Sequence, residues 1–569
     1  MRFSLTAYET QHSLSPPGKD MPMSDLTRAR ARVSELLAEY RIPSAAIGIL
    51  RDGEITDFAV GVKNAATREP ATPDTIYQCG SMTKTWTALA FMQLVDEGKA
   101  DLDQPVRTHL PEFEVADPEV GAHVTPRHLL NHTHGIEEAY GRPGEGDDVN
   151  ERMVANIAGA PQVHPLGHTH GYSAALGYAI LARVMEVIDG RRWDDIMRDR
   201  LFVPLGLTST STWHDQVDPH RAATGHLVRS LDEGPIVAPL SHLPRSFGAG
   251  GNISSTAREV LTMAHVFLDG GKAPNGTRIV STEAVREMTE SRVPVPDPYL
   301  FGPEWALGLI VCDWHGQTVY AHDGSTVGQS ARLRILPDSG LALVLLANAG
   351  PRDGFYKKVF DEILSDLGAP TIPDLPQPDP SLVLDPSRYE GVYERPGSRY
   401  TVSAEDGDLR LTFAANPLEA QLTGKPERVT YELLPISETH FLMPSAGPLE
   451  DPQTVAIYDF HDGVAQYLHT NCRVNPRAKE KNTGMHVMTI STISDNGGFW
   501  DALKAAYGQL PKGAGWPLAV ASDDGTKAVN IIVHDSVDSV RTFFERHAGP
   551  FATTEYFEAD AANAVGLPK

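Results

Sequence analysis

The stretch "YQCGSMTKTW", residues 77–86, sets a serine one helical turn ahead of a lysine and directly after a glycine. From Ser81 onward the residues follow a helical pattern, and Trp86, Ala88, Leu89, Ala90, Phe91, Met92, Leu94 and Val95 cover nearly its whole circumference. A helix apolar on most sides is buried in the middle of its domain, and Gly98 supplies a C-terminal stop. Taken alone, a Ser-x-x-Lys string is weak, since a chain of this length holds on the order of one by chance. Its plain reading is a helix-start serine followed by a solvated lysine. Here, however, Lys84 sits on the first turn of the most buried-looking helix, where an amine loses its water. Such an amine is pushed below the usual value of about 10.4 and can take a proton from a hydroxyl near neutral pH. The helix N-terminus adds positive potential for an alkoxide or a tetrahedral oxyanion.

Outward from this helix, "AAIGILRDGEITDFAVGV" (45–62) reads as two apolar strands around an Asp52-Gly53 turn. Strands return at "WALGLIVCDW", "TVYAHDG", "ARLRILPDSG" and "LALVLLAN", between residues 305 and 348. Short helices and long loops fill 110–245. Strands at both ends with helices between predict one antiparallel sheet with a helical insertion.

The whole chain, 569 residues, exceeds a single core and sets a prior of roughly three or four domains. Residues 1–23 read as a disordered tail. The catalytic segment spans 24–368, and a Pro-rich linker, "APTIPDLPQPDPSLVLDP", closes it over 369–386. Short alternating strands over 387–474 predict a small β-barrel or sandwich. A polar linker follows (475–484), and 485–569 shows the order βαββαβ of a ferredoxin-like domain. The open sheet of that last domain leads to an expected homodimer.

A net charge of −25 argues against nucleic-acid binding, which needs clustered Lys and Arg. The N-terminus has no apolar signal segment, and nowhere are there the ~20 consecutive apolar residues of a membrane span. The expectation is a cytoplasmic protein without a membrane partner. Cys79, Cys312 and Cys472 are too few and too scattered for a disulfide framework. Histidines 132, 134, 164, 168 and 170 lie in predicted loops without a carboxylate or cysteine at ligand spacing. Neither a metal nor a cofactor is expected.

From Ile42 to Asn348 the chain resembles the serine β-lactamase and penicillin-binding-protein superfamily, nearest its class C-like branch of esterases, D-aminopeptidases and transacylases. The stretches that carry this are "IPSAAIGILRDGE", "ATPDTIYQCGSMTKTWTALAFMQLVDEGKADLDQPV", "HVTPRHLLNHTHGI", "FVPLGLTST", "GAGGNISSTAREV" and "AHDGSTVG", in family order. The resemblance implies an α/β (α+β) β-lactamase-like fold, with Ser81 as acylated nucleophile and Lys84 as its base. It places Tyr172 in the second motif as proton shuttle, with Ser173 as the other candidate for that position. Ala174 stands where the family often has a substrate-contacting asparagine, a loss that an esterase tolerates better than a β-lactamase. The third motif becomes His322-Asp323-Gly324: the histidine would hold the tyrosine, polarise the site or meet a substrate carboxylate. Asp323 and Gly324 are expected along the substrate. The backbone N–H groups of Ser81 and Ser325 would form the oxyanion hole. The 387–474 segment, entered at "RYEGVYER", is similar to lipocalin-like modules of such enzymes. The expected activity is hydrolysis of a small-molecule ester or amide. Acyl transfer in small-metabolite synthesis is the alternative, and a degenerate scaffold protein is the reading from another class.

Overall fold

The computed structural model describes residues 27–138, 144–414, 428–445, 447, 450–478, 485–507, 509–510, 514–534 and 536–559. The tail expected at 1–23 and most of the 475–484 linker lie outside them. Two compact units divide the chain, one ending at Arg477 and one beginning at Ala478.

The first unit opens with α1 (Thr27–Glu39), whose Val33, Leu36 and Leu37 are buried. β1 (Ser44–Arg51) and β2 (Glu54–Gly61) pair antiparallel, with Arg51 opposite Glu54. The intervening Asp52 and Gly53 both have positive φ (52° and 81°), the two-residue turn that matches strand twist. The central helix α2 (Thr83–Asp96) follows a single 3-10 turn, Gly80–Met82, and is buried without interruption from Thr83 to Met92. Beside it lie α3 (Leu176–Asp189) and α4 (Ala257–Leu268). The chain then returns through β3 (Ile310–Trp314), β4 (Gln317–Thr326), β5 (Gln329–Leu336) and β6 (Leu341–Ala347) to α5 (Asp353–Asp366).

Sheet order is β2-β1-β6-β5-β4-β3, extended by the short strands Glu304–Trp305 and Val293–Pro294. Side-chain alternation divides β1 between two cores. Ala46 and Leu50 join α2, α3 and α4 on one face; Ala45, Ile47 and Ile49 join α1 and α5 on the other. Each such Leu or Ile contributes roughly 1.5–3 kcal/mol by leaving water. This is the β-lactamase-like α/β layout: an antiparallel sheet from both chain ends and a helical insertion on one face.

Past a proline-rich stretch, the described strands between Gly391 and Pro476 form a four-stranded and a five-stranded antiparallel sheet. The last two strands are β7 (Val464–Thr470) and β8 (Arg473–Pro476). Their core includes Tyr389, Tyr393, Leu411, Phe441, Ile457 and Leu468. This β-domain meets the catalytic segment through polar pairs. Thr454 donates to the buried Asp297, Arg395 pairs with Glu137, and Arg473 pairs with Glu138.

In the second unit β9 (Met485–Ile493), α6 (Asn496–Tyr507), β10 (Gly515–Ala521), β11 (Lys527–His534), α7 (Val537–Ala548) and β12 (Ala552–Glu558) follow in the order βαββαβ. The sheet runs β10-β11-β9-β12, and both helices cover one face. Among the described residues no helix is long and apolar enough to cross a membrane.

Candidate active site

Ser81 lies in the 3-10 turn that enters α2, and Lys84 follows one turn later. Lys84 is fully buried. Its Nζ donates to the backbone oxygens of Ala174 (2.7 Å) and Gly250 (2.8 Å) and reaches Ser81 Oγ at 3.5 Å. Burial disfavours the ammonium and pulls Lys84 down to about 7, against the opposing pull of Glu138 and with a small push from Arg473. An amine that loses its proton near neutrality, aimed at a hydroxyl, is the makings of a base and its nucleophile.

Tyr172 comes from the loop before α3. Burial raises its phenol well above the ordinary range, against the opposing influence of the neighbouring Ser81. Lys84 Nζ stands 4.9 Å from the centre of its ring and Arg473 Cζ 5.2 Å, so two cations flank one phenol. The rings of His132 (4.6 Å), Trp305 (5.5 Å) and Phe301 (6.3 Å) lie around it.

Two glycines bring β4 onto the serine turn. A Cβ on Gly324 would lie 1.8 Å from the Cys79 oxygen. Gly80, at φ +53°, would place one 2.4 Å from the Ser325 nitrogen. Only glycine at both positions lets the backbone of the Ser81 turn and that of Ser325 approach so closely. His322, on β4, is buried and held neutral by that burial, down at about 3. Its Nδ1 lies 2.7 Å from the Asp323 oxygen. A carbonyl only accepts, so the ring proton sits on Nδ1 and Nε2 is left as an acceptor. Nε2 is buried and has no hydrogen-bond partner among the described residues.

Two expectations need correction. Asp323 does not offer its carboxylate to substrate. Strand alternation turns it to the face opposite His322, where Arg334 (2.5 Å) and Arg332 (3.4 Å) hold it below the ordinary carboxylate range despite burial. A neutral His322 also has no charge with which to meet a substrate carboxylate. The other residues singled out, Ser81, Lys84, Tyr172, Ala174, His322, Gly324 and Ser325, come together at one end of α2 and β4. Ala174 contributes its backbone oxygen to Lys84 and its N–H to Glu138 Oε2 (2.6 Å).

Glu138 and Arg473 carry no local sequence signal. Both lie in unremarkable stretches, "GIEEAY" and "TNCRVNP", and only tertiary contact brings them to Tyr172. The loop histidines are packed ring against ring, His132 with His170 (5.7 Å) and His170 with His469 (6.2 Å), with Trp305 5.0 Å from both His132 and His170.

A family model described as Beta-lactamase matches residues 29–366. The chain belongs to the β-lactamase family. Among relatives of this family member, penicillin-binding protein 4 of Amycolatopsis lactamdurans is 38% identical over 371 residues, 64% of this chain and 97% of that one. A D-aminopeptidase of Gluconobacter oxydans is 24% identical over 347 residues, 57% of this chain and 60% of that one. The crystal structure of SurE superposes with a TM-score of 0.63 at 28% identity, covering 79% of this chain and 99% of SurE. Residues 29–366 alone cannot supply that coverage, so the likeness to SurE runs on into the β-domain. The β-lactamase-family chain is thus a serine-hydrolase-type catalytic domain with sheet-rich additions C-terminal to it.

Proposed function

We propose that the protein is a serine hydrolase of small-molecule esters or amides working through a Ser81 acyl-enzyme. One observation carries this reading: a buried lysine amine, pulled to about 7, whose three hydrogen-bond acceptors are two backbone carbonyls and Ser81 Oγ. The two carbonyls fix where the amine points, and the remaining direction is the serine. Neutral Lys84 takes the Ser81 proton as Oγ attacks the substrate carbonyl. The N–H groups of Ser81 and Ser325 take the oxyanion charge. Tyr172, beside Ser81 and Lys84, passes the proton to the leaving group. Water then attacks the acyl-enzyme, with Lys84 and Tyr172 serving in reverse. His322, an acceptor at Nε2, fits a donor such as the Tyr172 hydroxyl or a substrate N–H.

The test is the intact mass of the protein after brief exposure to activated esters of several acyl groups, with Ser81→Ala in parallel. An adduct on the wild type alone, mapped to the Ser81 peptide, supports the reading. A folded wild type without any adduct moves the protein to the scaffold class. Adding an amine acceptor to the same reaction separates hydrolysis from acyl transfer by the product formed.

A homodimer through residues 485–569 is also proposed, on the face of the sheet away from α6 and α7. That face carries Met488, Ile490, Leu518, Val520, Ile531 and Phe557 in facing register. Leu518, Val520 and Phe557 are 40–46% exposed there, more apolar surface than a lone sheet keeps wet without a partner.

A further inference from the structure

Between Thr470 and Arg473, which face each other across β7 and β8, the chain turns through Asn471 and Cys472, both at positive φ (49° and 59°). This is a two-residue hairpin turn of the kind that prefers Asn-Gly. Cysteine rarely takes the left-handed conformation, and such residues persist where the surroundings hold them. Here they do. The Cys472 side chain is fully buried, and its carbonyl accepts the Tyr172 N–H at 2.8 Å. The next residue, Arg473, donates to the Tyr172 carbonyl, so the turn grips both backbone groups of one residue. The Arg473 guanidinium then lies over the Tyr172 ring, on which Lys84 also sits, and pairs with Glu138 Oε1 at 2.5 Å. Glu138 Oε2 in turn accepts from Ser173 Oγ and from the N–H groups of Ala174 and Ala175. Ala174 is the residue whose oxygen holds Lys84.

We propose that the Asn471–Arg473 turn of the β-domain is a working part of the catalytic centre, and that Arg473 and Glu138 are positioning residues that hold Tyr172 and set the charge balance of the Lys84–Tyr172 pair. This rests on the Ser81 acyl-enzyme reading and adds a part that the catalytic segment does not contain. The two act with opposite sign. Arg473 works to deprotonate Lys84 and Tyr172, whereas Glu138 works to keep Lys84 charged. The other groups facing the pair are Tyr178, His132, His322 and the Cys472 thiol. Burial keeps the two imidazoles neutral and holds the phenol and the thiol in their neutral forms at working pH. The Glu138–Arg473 pair therefore supplies the fixed charges that tune the amine.

The experiment is a titration of Lys84 in the full-length protein carrying ε-13C-lysine, its signal assigned by loss in Lys84→Met, for wild type, Arg473→Gln, Arg473→Lys and Glu138→Gln. This readout needs no turnover. Acyl-adduct rates against pH are measured on the same samples. Arg473→Gln is expected to move the Lys84 midpoint up by about one pH unit, and Glu138→Gln to move it down by a similar amount. Arg473→Lys, which keeps the charge, stays near wild type. Glu138→Gln retains an oxygen for the Ala174 N–H, so it reports on charge with the loop in place. The acid limb of the acylation profile should follow the amine in each case. Midpoints that do not move, or that move the same way in both charge-removing variants, overturn the proposal. So does a rise in KM for Arg473→Gln with the titration unchanged, which would make Arg473 a substrate contact only. A wild type that forms no adduct strikes down the acyl-enzyme reading, and the amine titration still decides the charge-setting role.

Discussion

At the residue scale, the proposed acyl-enzyme chemistry turns on one amine losing its water. Lys84 must be neutral to accept a proton, so acylation should rise as pH climbs through about 7 and level off above it. Replacing Lys84 by Met should lower the acylation rate by roughly 10²–10⁴-fold at the plateau, as read by stopped-flow release from an activated ester. Folding stability carries the same signature. A lysine is near 10.4 when unfolded and about 7 when folded, so between these values the unfolded chain binds more protons, and stability rises with pH across that window. Lys84→Met should remove that rise, worth a few kcal/mol in all, which denaturant melts at pH 7 and pH 10 would register. The serine and lysine were legible in the sequence because their relation is local, one turn of one helix. Glu138 was not: its partner Arg473 lies 335 positions away, and no local pattern announces such a pair.

At the element scale, β4 does two jobs with adjacent residues. His322 is buried on the Lys84 side, while Asp323 pairs on the other side with the buried Arg332 and Arg334. The period of two along a strand was available from the sequence, and it rules out both side chains serving one face. The His322-Asp323-Gly324 motif runs over alternating positions, so its aspartate belongs to the other face of the sheet. Asp323→Asn should therefore act on stability, costing about 3 kcal/mol by leaving two buried guanidiniums short of charge, while KM of the folded fraction stays put. Gly324→Ala should act on both. Its Cβ would press on the Cys79 carbonyl and push β4 off the serine turn, so acylation of the folded fraction should fall by about a hundredfold or more, and the clash with backbone should lower the thermal midpoint as well. Measuring melting and acylation on both variants separates the two roles of one strand.

At the scale of the whole molecule, the sheet assembled from both ends of the catalytic segment was legible because its strands read clearly in the sequence, from the 45–62 hairpin to the strands of 305–348. The joint between that segment and the β-domain was not, because it is made of single polar residues scattered over both. If the 485–569 unit pairs two copies, light scattering should give twice the chain mass. Ile531→Glu on the open sheet face should restore the monomer without altering acylation. A single-chain mass for the wild type would remove the dimer.

The two adjacent glutamates, 137 and 138, reach across that joint to Arg395 and Arg473. The catalytic and β-domain segments are thus not freely exchangeable parts. A chimera that takes residues 387–476 from another family member will work only if the donor brings arginines to both places, or if the "GIEE" stretch travels with the graft. Lineages that shuffle these modules would have to carry the acidic pair and the basic pair as a single inherited cassette.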